Sequence, residues 1–108
     1  MAYDGAFTPK GPTVLVGVNP VQAPTTDGTT ATSYRIRALL ATSQYMAWAA
    51  PTVAVPAIAL VAPTAGVPSS PNTIGFLTGT TETLVLPAGC WMRADAPAAF
   101  EVTPGEGV

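Results

Sequence analysis

Proline and glycine interrupt this sequence too often for a long helix to fit between them. Twelve prolines and ten glycines are spread over 108 residues. No window combines a sustained apolar period of 3.6 residues with freedom from both residue types. The nearest, residues 34–50, is rich in Tyr, Ile, Thr and Trp, which also suit strands. We therefore predict an all-β chain.

Short runs of Val, Ile, Leu, Thr and aromatic residues lie between the Pro, Gly and Asn positions and are typical of strands. Seven runs qualify, and residues 52–60 offer an eighth. The seven are residues 13–18, 32–39, 44–49, 72–77, 82–87, 90–94 and 99–103. Their regular spacing predicts a jelly-roll-like fold, a sandwich or a small barrel.

Turn signals separate several of these strands. "LPAG" (86–89) places a proline and a glycine between two runs and predicts a hairpin, with Pro87 at the second position of the turn. "LTGTTE" (77–82) places Gly79 between two more runs. "TTDGTT" (25–30) carries an Asp-Gly pair and indicates either a hairpin or a mobile loop.

The length suits one β domain over residues 1–108, with residues 1–12 as an extended N-terminal arm. Residues 49–71 form a long Pro/Ala-rich stretch with five prolines and no charge. Proline cannot donate to a central ladder, so we expect an edge strand, a loop or an arm here. Two interpretations stay open: a loop folded over its own sheet, and an arm that packs on a neighbour.

The chain is poor in charge. Charged residues make up 9% of it and hydrophobic residues 48%, whereas an ordinary soluble domain has about 25% charged residues. A small domain cannot bury all of its apolar residues, so part of its surface must be apolar. We expect copies of the chain or other partners to cover that surface.

The few cations exclude two classes of partner. The net charge is −2, and the four basic residues are Lys10, Arg35, Arg37 and Arg93. Nucleic acid and acidic lipid both call for a basic patch, so we expect neither. The N-terminus lacks the pattern of a signal peptide, and the apolar run 51–63 is too short to cross a bilayer.

The chemistry of the side chains predicts that the chain is not an enzyme and holds no metal or cofactor. It has no histidine and a single cysteine, Cys90, so neither the usual general base nor a zinc site of Cys and His is available. The carboxylates of Asp95 and Glu101 flank a turn signal and are typical of solvated charges. No Gly-rich phosphate loop follows a strand.

Four aromatic residues allow a sugar-stacking platform or a packed core. They are Tyr34, Tyr45, Trp48 and Trp91. Alternation along residues 34–37 places Tyr34 and Ile36 on the inner face of a strand and both arginines on the outer face. We therefore favour burial in a core or an interface over a carbohydrate site.

Three stretches carry a resemblance to a known group of proteins. "RIRALLATSQYMAW" (35–48), "LPAGCW" (86–91) and "FEVTPGEG" (100–107) resemble segments of small virion proteins of tailed bacteriophages. The resemblance covers roughly the last two thirds of the chain. It implies a structural protein of the particle, a head decoration or cement protein on the capsid exterior that is made in the host cytoplasm. It implies no catalytic residue.

The partners that follow are the major capsid protein and further copies of this chain, in a homo-oligomer or a capsid-bound multimer. The alternatives are a carbohydrate-binding module of a tail fibre or tailspike, and a minor tail or head–tail joining component. The residues that we expect at interfaces are Arg35, Arg37, Tyr45, Trp48, Val53, Val55, Ile58, Leu60 and Arg93.

Arg35 and Arg37 pose a specific question, because two guanidinium groups on one face repel each other unless acceptors meet them. Glu82 or Glu101 on an adjacent strand is the internal acceptor that the sequence offers. A carboxylate of the capsid protein is the external one, and a planar guanidinium binds it through two hydrogen bonds. A solvated pair that only maintains solubility is the third interpretation.

Overall fold

The computed structural model describes residues 8–24 and 31–106, which form nine strands and no helix. The strands are β1 (Thr8–Pro9), β2 (Val14–Val16), β3 (Val21–Gln22), β4 (Ala31–Ala38), β5 (Gln44–Ala49), β6 (Thr73–Phe76), β7 (Thr81–Pro87), β8 (Trp91–Ala94) and β9 (Phe100–Glu106). The prediction of an all-β fold is confirmed. No helix in the described part of the chain is long and apolar enough to cross a membrane.

The strands form two antiparallel sheets that face each other. Sheet A has the order β1-β9-β4-β7, with β2 pairing on the same side of β9 as β1. Sheet B has the order β3-β8-β5-β6. The pairs are nested: β2 with β9, β3 with β8, β4 with β7 and β5 with β6. Rolling up one long antiparallel hairpin gives this order, which is that of an eight-strand jelly roll.

The core lies between the sheets and is built by alternation. Along β4, Tyr34, Ile36 and Ala38 are buried, whereas Arg35 and Arg37 are exposed, as predicted. The rings of Phe76 from sheet B and Phe100 from sheet A lie 5.0 Å apart, centroid to centroid. The buried members are Val16, Ala23, Tyr34, Ile36, Ala38, Met46, Phe76, Leu86, Cys90, Met92, Ala94, Ala99, Phe100 and Val102.

Buried Tyr34 fixes two connections at one end of the sandwich. Its hydroxyl group donates a hydrogen bond to the carbonyl oxygen of Pro24 over 3.1 Å. The same hydroxyl accepts one from the amide of Gly89, also over 3.1 Å. A phenol buried in a core needs such partners, and these two hold the β7–β8 turn against the chain that follows β3.

The seven predicted strands are present, but the prediction of an eighth strand at residues 52–60 is wrong. Residues 52–60 have no ladder partner and form no strand. Two short strands, β1 and β3, were not predicted. Residues 8–10 of the expected N-terminal arm lie along β9, with the Lys10 amide donating to the Pro104 carbonyl over 2.9 Å. Residues 1–7 of that arm and the Asp-Gly turn at 25–30 lie outside the described residues.

The turn at residues 87–90 forms, but the hairpin predicted around it does not. Pro87 occupies the first position of the turn, where its carbonyl accepts the Cys90 amide over 3.1 Å, and Gly89 has a φ of 76°. The strands on either side enter different sheets: β7 pairs with β4, and β8 pairs with β5 and β3. The turn therefore links the two layers of the sandwich.

Residues 50–71, called the covering segment below, lie against the outer face of sheet B. Ile58 is buried together with Ala47 and Trp91, and Leu60 packs on the same cluster. The indole N–H of Trp91 donates to the Thr52 carbonyl over 3.1 Å. The structure thus shows a loop folded over its own sheet, which was the first of the two interpretations of this stretch.

Serine hydroxyls and backbone pairs hold the far part of the covering segment. The Val61 amide donates to the Ser70 hydroxyl over 2.8 Å, and the Ser70 amide donates back to the Val61 carbonyl over 3.1 Å. The hydroxyl groups of Ser70 and Thr73 lie 2.7 Å apart, which ties the segment to the start of β6. Thr64 and Val67 close a small turn through two backbone bonds.

Candidate functional site

The outer face of sheet A carries Arg35 and Arg37 at its centre. On one side, Arg35 lies opposite Thr103 of β9 and Arg37 opposite Glu101. On the other side, the same arginines lie opposite Thr83 and Thr81 of β7. Neighbours across a ladder share a face of the sheet, so the two arginines stand among threonines with one carboxylate beside them. The centre of this face is therefore polar, and the exposed apolar side chains of Leu15 and Val85 lie beside it on β2 and β7.

Glu101 is the internal partner of Arg37, one member of the arginine pair. One terminal nitrogen of Arg37 lies 3.6 Å from a carboxylate oxygen of Glu101, and the two side chains are 62% and 38% exposed. Such an exposed pair adds little stability. Glu82 is not the partner, because it lies opposite Ile36 and therefore belongs to the other face of the ladder.

A shallow depression of about 170 Å³ lies between these side chains and is lined by Arg35, Arg37, Glu101 and Thr103. A hydroxyl–hydroxyl contact of 2.7 Å joins Thr103, one of these lining residues, to Thr13 in the chain before β2. Two guanidinium groups offer more donors than one carboxylate can accept. The depression can therefore receive a second carboxylate, with two N–H groups directed at two oxygens.

The remaining expected interface residues fall into two groups. Val53 and Val55 are exposed, at 105% and 64%, on the covering segment. Ile58 is buried, and its carbonyl oxygen accepts a hydrogen bond from a terminal nitrogen of Arg93 over 2.9 Å. Leu60 packs on the same cluster. Ile58 and Arg93 thus hold the covering segment in place and do not form part of a free surface.

The aromatic side chains do not gather into an exposed platform. Tyr34 is buried in the core between the sheets, and Trp91 lies under the covering segment on the other face of sheet B. Trp48 is half-buried against the core. The Tyr45 ring lies over β6, where a Cβ atom on Gly75 would approach it to 3.0 Å. Burial was the favoured interpretation, and it is confirmed for Tyr34 and Trp91.

Large apolar side chains are exposed elsewhere on the described surface, and the sequence identified only two of them. Two of the others, Leu15 and Val85, lie on outward positions of β2 and β7 and could have been found by alternation once those strands were placed. The exposed set is Leu15, Val18, Leu39, Val53, Val55, Val61, Val67, Leu77 and Val85.

Cys90 is buried in the core. Burial disfavours the thiolate and raises the pKa of the Cys90 thiol to about 11. The thiol stays protonated at neutral pH, and a protonated thiol is a poor nucleophile. In the described part of the chain no three His, Cys, Asp or Glu residues are grouped so as to hold a metal ion.

Comparison of the chain with protein-family models, with curated proteins and with solved structures finds no significant match.

Proposed function

We propose that this chain is a structural protein of a tailed-bacteriophage virion, a capsid decoration or cement protein that binds between subunits of the major capsid protein and stabilises the head. One observation carries the proposal. The described residues expose nine large apolar side chains in a chain of which only 9% is charged. Four of the nine lie on the uncharged covering segment. Exposed apolar surface of this kind marks an interaction site.

The physical role follows from that surface. Contact with a shell removes apolar area from water, at about 25 cal/mol per Å². Much of this gain is offset by the loss of free motion on association. A copy that binds between two capsid subunits engages both at once, and so modest contacts with each suffice for stable attachment. Arg35 and Arg37 would fix the orientation of the bound chain, since each has a planar guanidinium group that can form two hydrogen bonds with a carboxylate of the shell.

The jelly-roll order is compatible with the proposal and does not decide it, because viral capsid proteins and lectins both use this architecture. The separation of Tyr34 and Trp91 favours the virion role over the carbohydrate-binding alternative. A sugar platform needs aromatic faces exposed side by side, whereas these two side chains are buried in different clusters. The resemblance of three sequence stretches to phage virion proteins supports the same choice.

The test is attachment to shells, followed by a count of copies. Shells assembled from the major capsid protein of the same genome would be sedimented with the purified chain, and the bound fraction measured against concentration. We expect saturable binding at a copy number comparable with that of the capsid protein. Binding of a few copies per particle would indicate a tail or joining component, and binding to glycans alone would indicate the carbohydrate module. Either result would overturn the proposal.

A further inference from the structure

Strand β7 is the long free edge of the sandwich. It comes last in the order of sheet A, and its ladder partner among residues 8–24 and 31–106 is β4 alone. The other edge strands are short: β1 and β3 have 2 residues each, β2 has 3 and β6 has 4. β7 has 7 residues. Short edges are one way in which proteins avoid strand-to-strand association, and β7 lacks that protection.

The register identifies the backbone groups that face outward from β7. The Ala38 amide donates to the Thr80 carbonyl over 2.9 Å. Antiparallel ladders alternate, so every second residue from Thr80 faces β4 in the same way. Thr81, Thr83 and Val85 then direct their N–H and C=O groups away from β4. The structure gives these groups no acceptor or donor in the described part of the chain.

The side chains of β7 do little to block another strand. β7 carries no lysine or arginine, and its single proline, Pro87, is its last residue. Its one charge, Glu82, lies near its start. The three residues whose backbone groups point away from β4 all have β-branched side chains, which pair well across strands. They are Thr81, Thr83 and Val85. Val85 is 65% exposed, so such a pairing would cover apolar surface.

We propose that β7 pairs in antiparallel fashion with β7 of a second copy of this chain, with Thr83 opposite Thr83 of the second copy. This contact uses the same patch on both copies, as a two-fold dimer requires. Thr81 then lies opposite Val85 of the second copy. Glu82 lies opposite Leu84 of the second copy, so like charges do not meet. The inference does not depend on the proposed virion role.

Two properties of the dimer follow from the register. Pro87 falls opposite Gly79 of the second copy, beyond the paired stretch, so its missing N–H costs no bond in the ladder. Sheet A becomes one continuous sheet across both copies, with both arginine pairs on its outer face. An edge contact alone buries little area, so we expect association at high protein concentration rather than a permanent dimer. Crowding on any surface that collects copies would strengthen it.

Cross-linking tests the register. In hydrogen-bonded antiparallel pairs the Cα atoms lie about 5.5 Å apart, within the range of about 4.4–6.8 Å that a disulfide spans. Thr83→Cys should therefore form a covalent dimer under mild oxidation. Thr81→Cys is the matched control, because residue 81 of the second copy would lie roughly 14 Å away, four residues along the ladder. Buried Cys90 does not compete. Cross-linking of the control but not of Thr83→Cys would overturn the register.

Sedimentation of the full chain over a range of concentrations tests the association itself. Thr83→Pro removes an outward donor without breaking a bond to β4, and it should raise the dimer dissociation constant by about tenfold or more. Thr83→Val keeps the donor and the shape and should leave the constant nearly unchanged. A wild-type chain that stays monomeric at the highest concentration it tolerates, or equal effects of the two substitutions, would overturn the proposal.

Discussion

The outer face of sheet A lies in water, whereas the outer face of sheet B lies beneath the covering segment of the same chain. The first face presents arginines and threonines around Glu101. The second presents Ala47 and Trp91, and both are buried by contact with residues such as Ile58. The two sheets share one core, but their outer faces differ: that of sheet A is polar at its centre and exposed, whereas that of sheet B is apolar and covered.

This difference can be read in the strands. β4 faces water on one side and alternates between buried and exposed residues. β5 and β8 are covered on both sides, and their residues are buried or half-buried throughout. A sheet covered on both faces loses the alternation of a one-sided sheet. The outer face of sheet A is thus directly open to a partner, whereas a partner on the other side would meet the covering segment and not sheet B itself.

Removing the indole of Trp91, which holds the covering segment, should cause the largest loss of folding stability. Trp91→Ala deletes a side chain that is 9% exposed and the hydrogen bond to Thr52. We expect the free energy of unfolding to fall by about 3–5 kcal/mol, as measured by denaturant titration. Val53→Ala, on the exposed part of the same segment, should change it by less than about 0.5 kcal/mol. Equal effects would show that the segment does not pack on sheet B.

The next comparison is between the stability effects of two arginines, Arg37 on the outer face of sheet A and Arg93 on the outer face of sheet B. Arg93→Met removes the bond to the Ile58 carbonyl and should lower the free energy of unfolding by about 1–3 kcal/mol. Arg37→Met removes an exposed ion pair and should lower it by less than about 1 kcal/mol. Both variants keep the aliphatic part of the side chain, so thermal and chemical unfolding compare the polar contacts. The reverse order would contradict the assignment of the two faces.

The arginine pair of sheet A should matter for attachment more than for folding. Combining Arg35→Ala with Arg37→Ala should weaken binding to capsid shells by about tenfold, or about 1.4 kcal/mol, in co-sedimentation at low salt. The difference from wild type should shrink as salt rises. Lys10→Ala is the control, since it removes an exposed cation elsewhere. Unchanged attachment of the double variant would assign both arginines to solvation alone.

The sequence predicted the parts of the fold that local rules govern. Tyr34 and Ile36 alternate with arginines because one side of β4 meets the core and the other meets water. Gly79 and Gly89 lie in turns with φ of 72° and 76°, a conformation that glycine adopts without strain. Both features need only a few neighbouring residues, and single-sequence reasoning suffices for them.

Features that depend on distant pairing could not be predicted. Strand β3 has two residues, and its place depends on pairing with Met92 and Trp91 of β8. Residues 52–60 are apolar and rich in Val and Ala like a strand, yet they pair with none of the described strands. They lie over the face of sheet B instead, where Ile58 is buried with Ala47 and Trp91.

The sequence could not decide whether Glu82 or Glu101 is the partner of the arginines, because that too depends on how distant strands pair. Both acids are on strands next to β4, and only the register places Glu101 on the face of Arg37. A shift of one residue would have exchanged them, because successive side chains of a strand point to opposite faces. Composition and spacing carry no information about that shift.

The closing of sheet B by its own chain is the central claim, and nuclear Overhauser effects in dilute, demonstrably monomeric protein test it most directly. The Ile58 methyl groups and the Trp91 indole share one buried cluster. We predict cross-peaks between them whose intensity, scaled to protein amount, does not change on dilution. Cross-peaks that are absent in the monomer and appear only in an assembled form would show that the segment is an arm ordered by a neighbour, contradicting the claim.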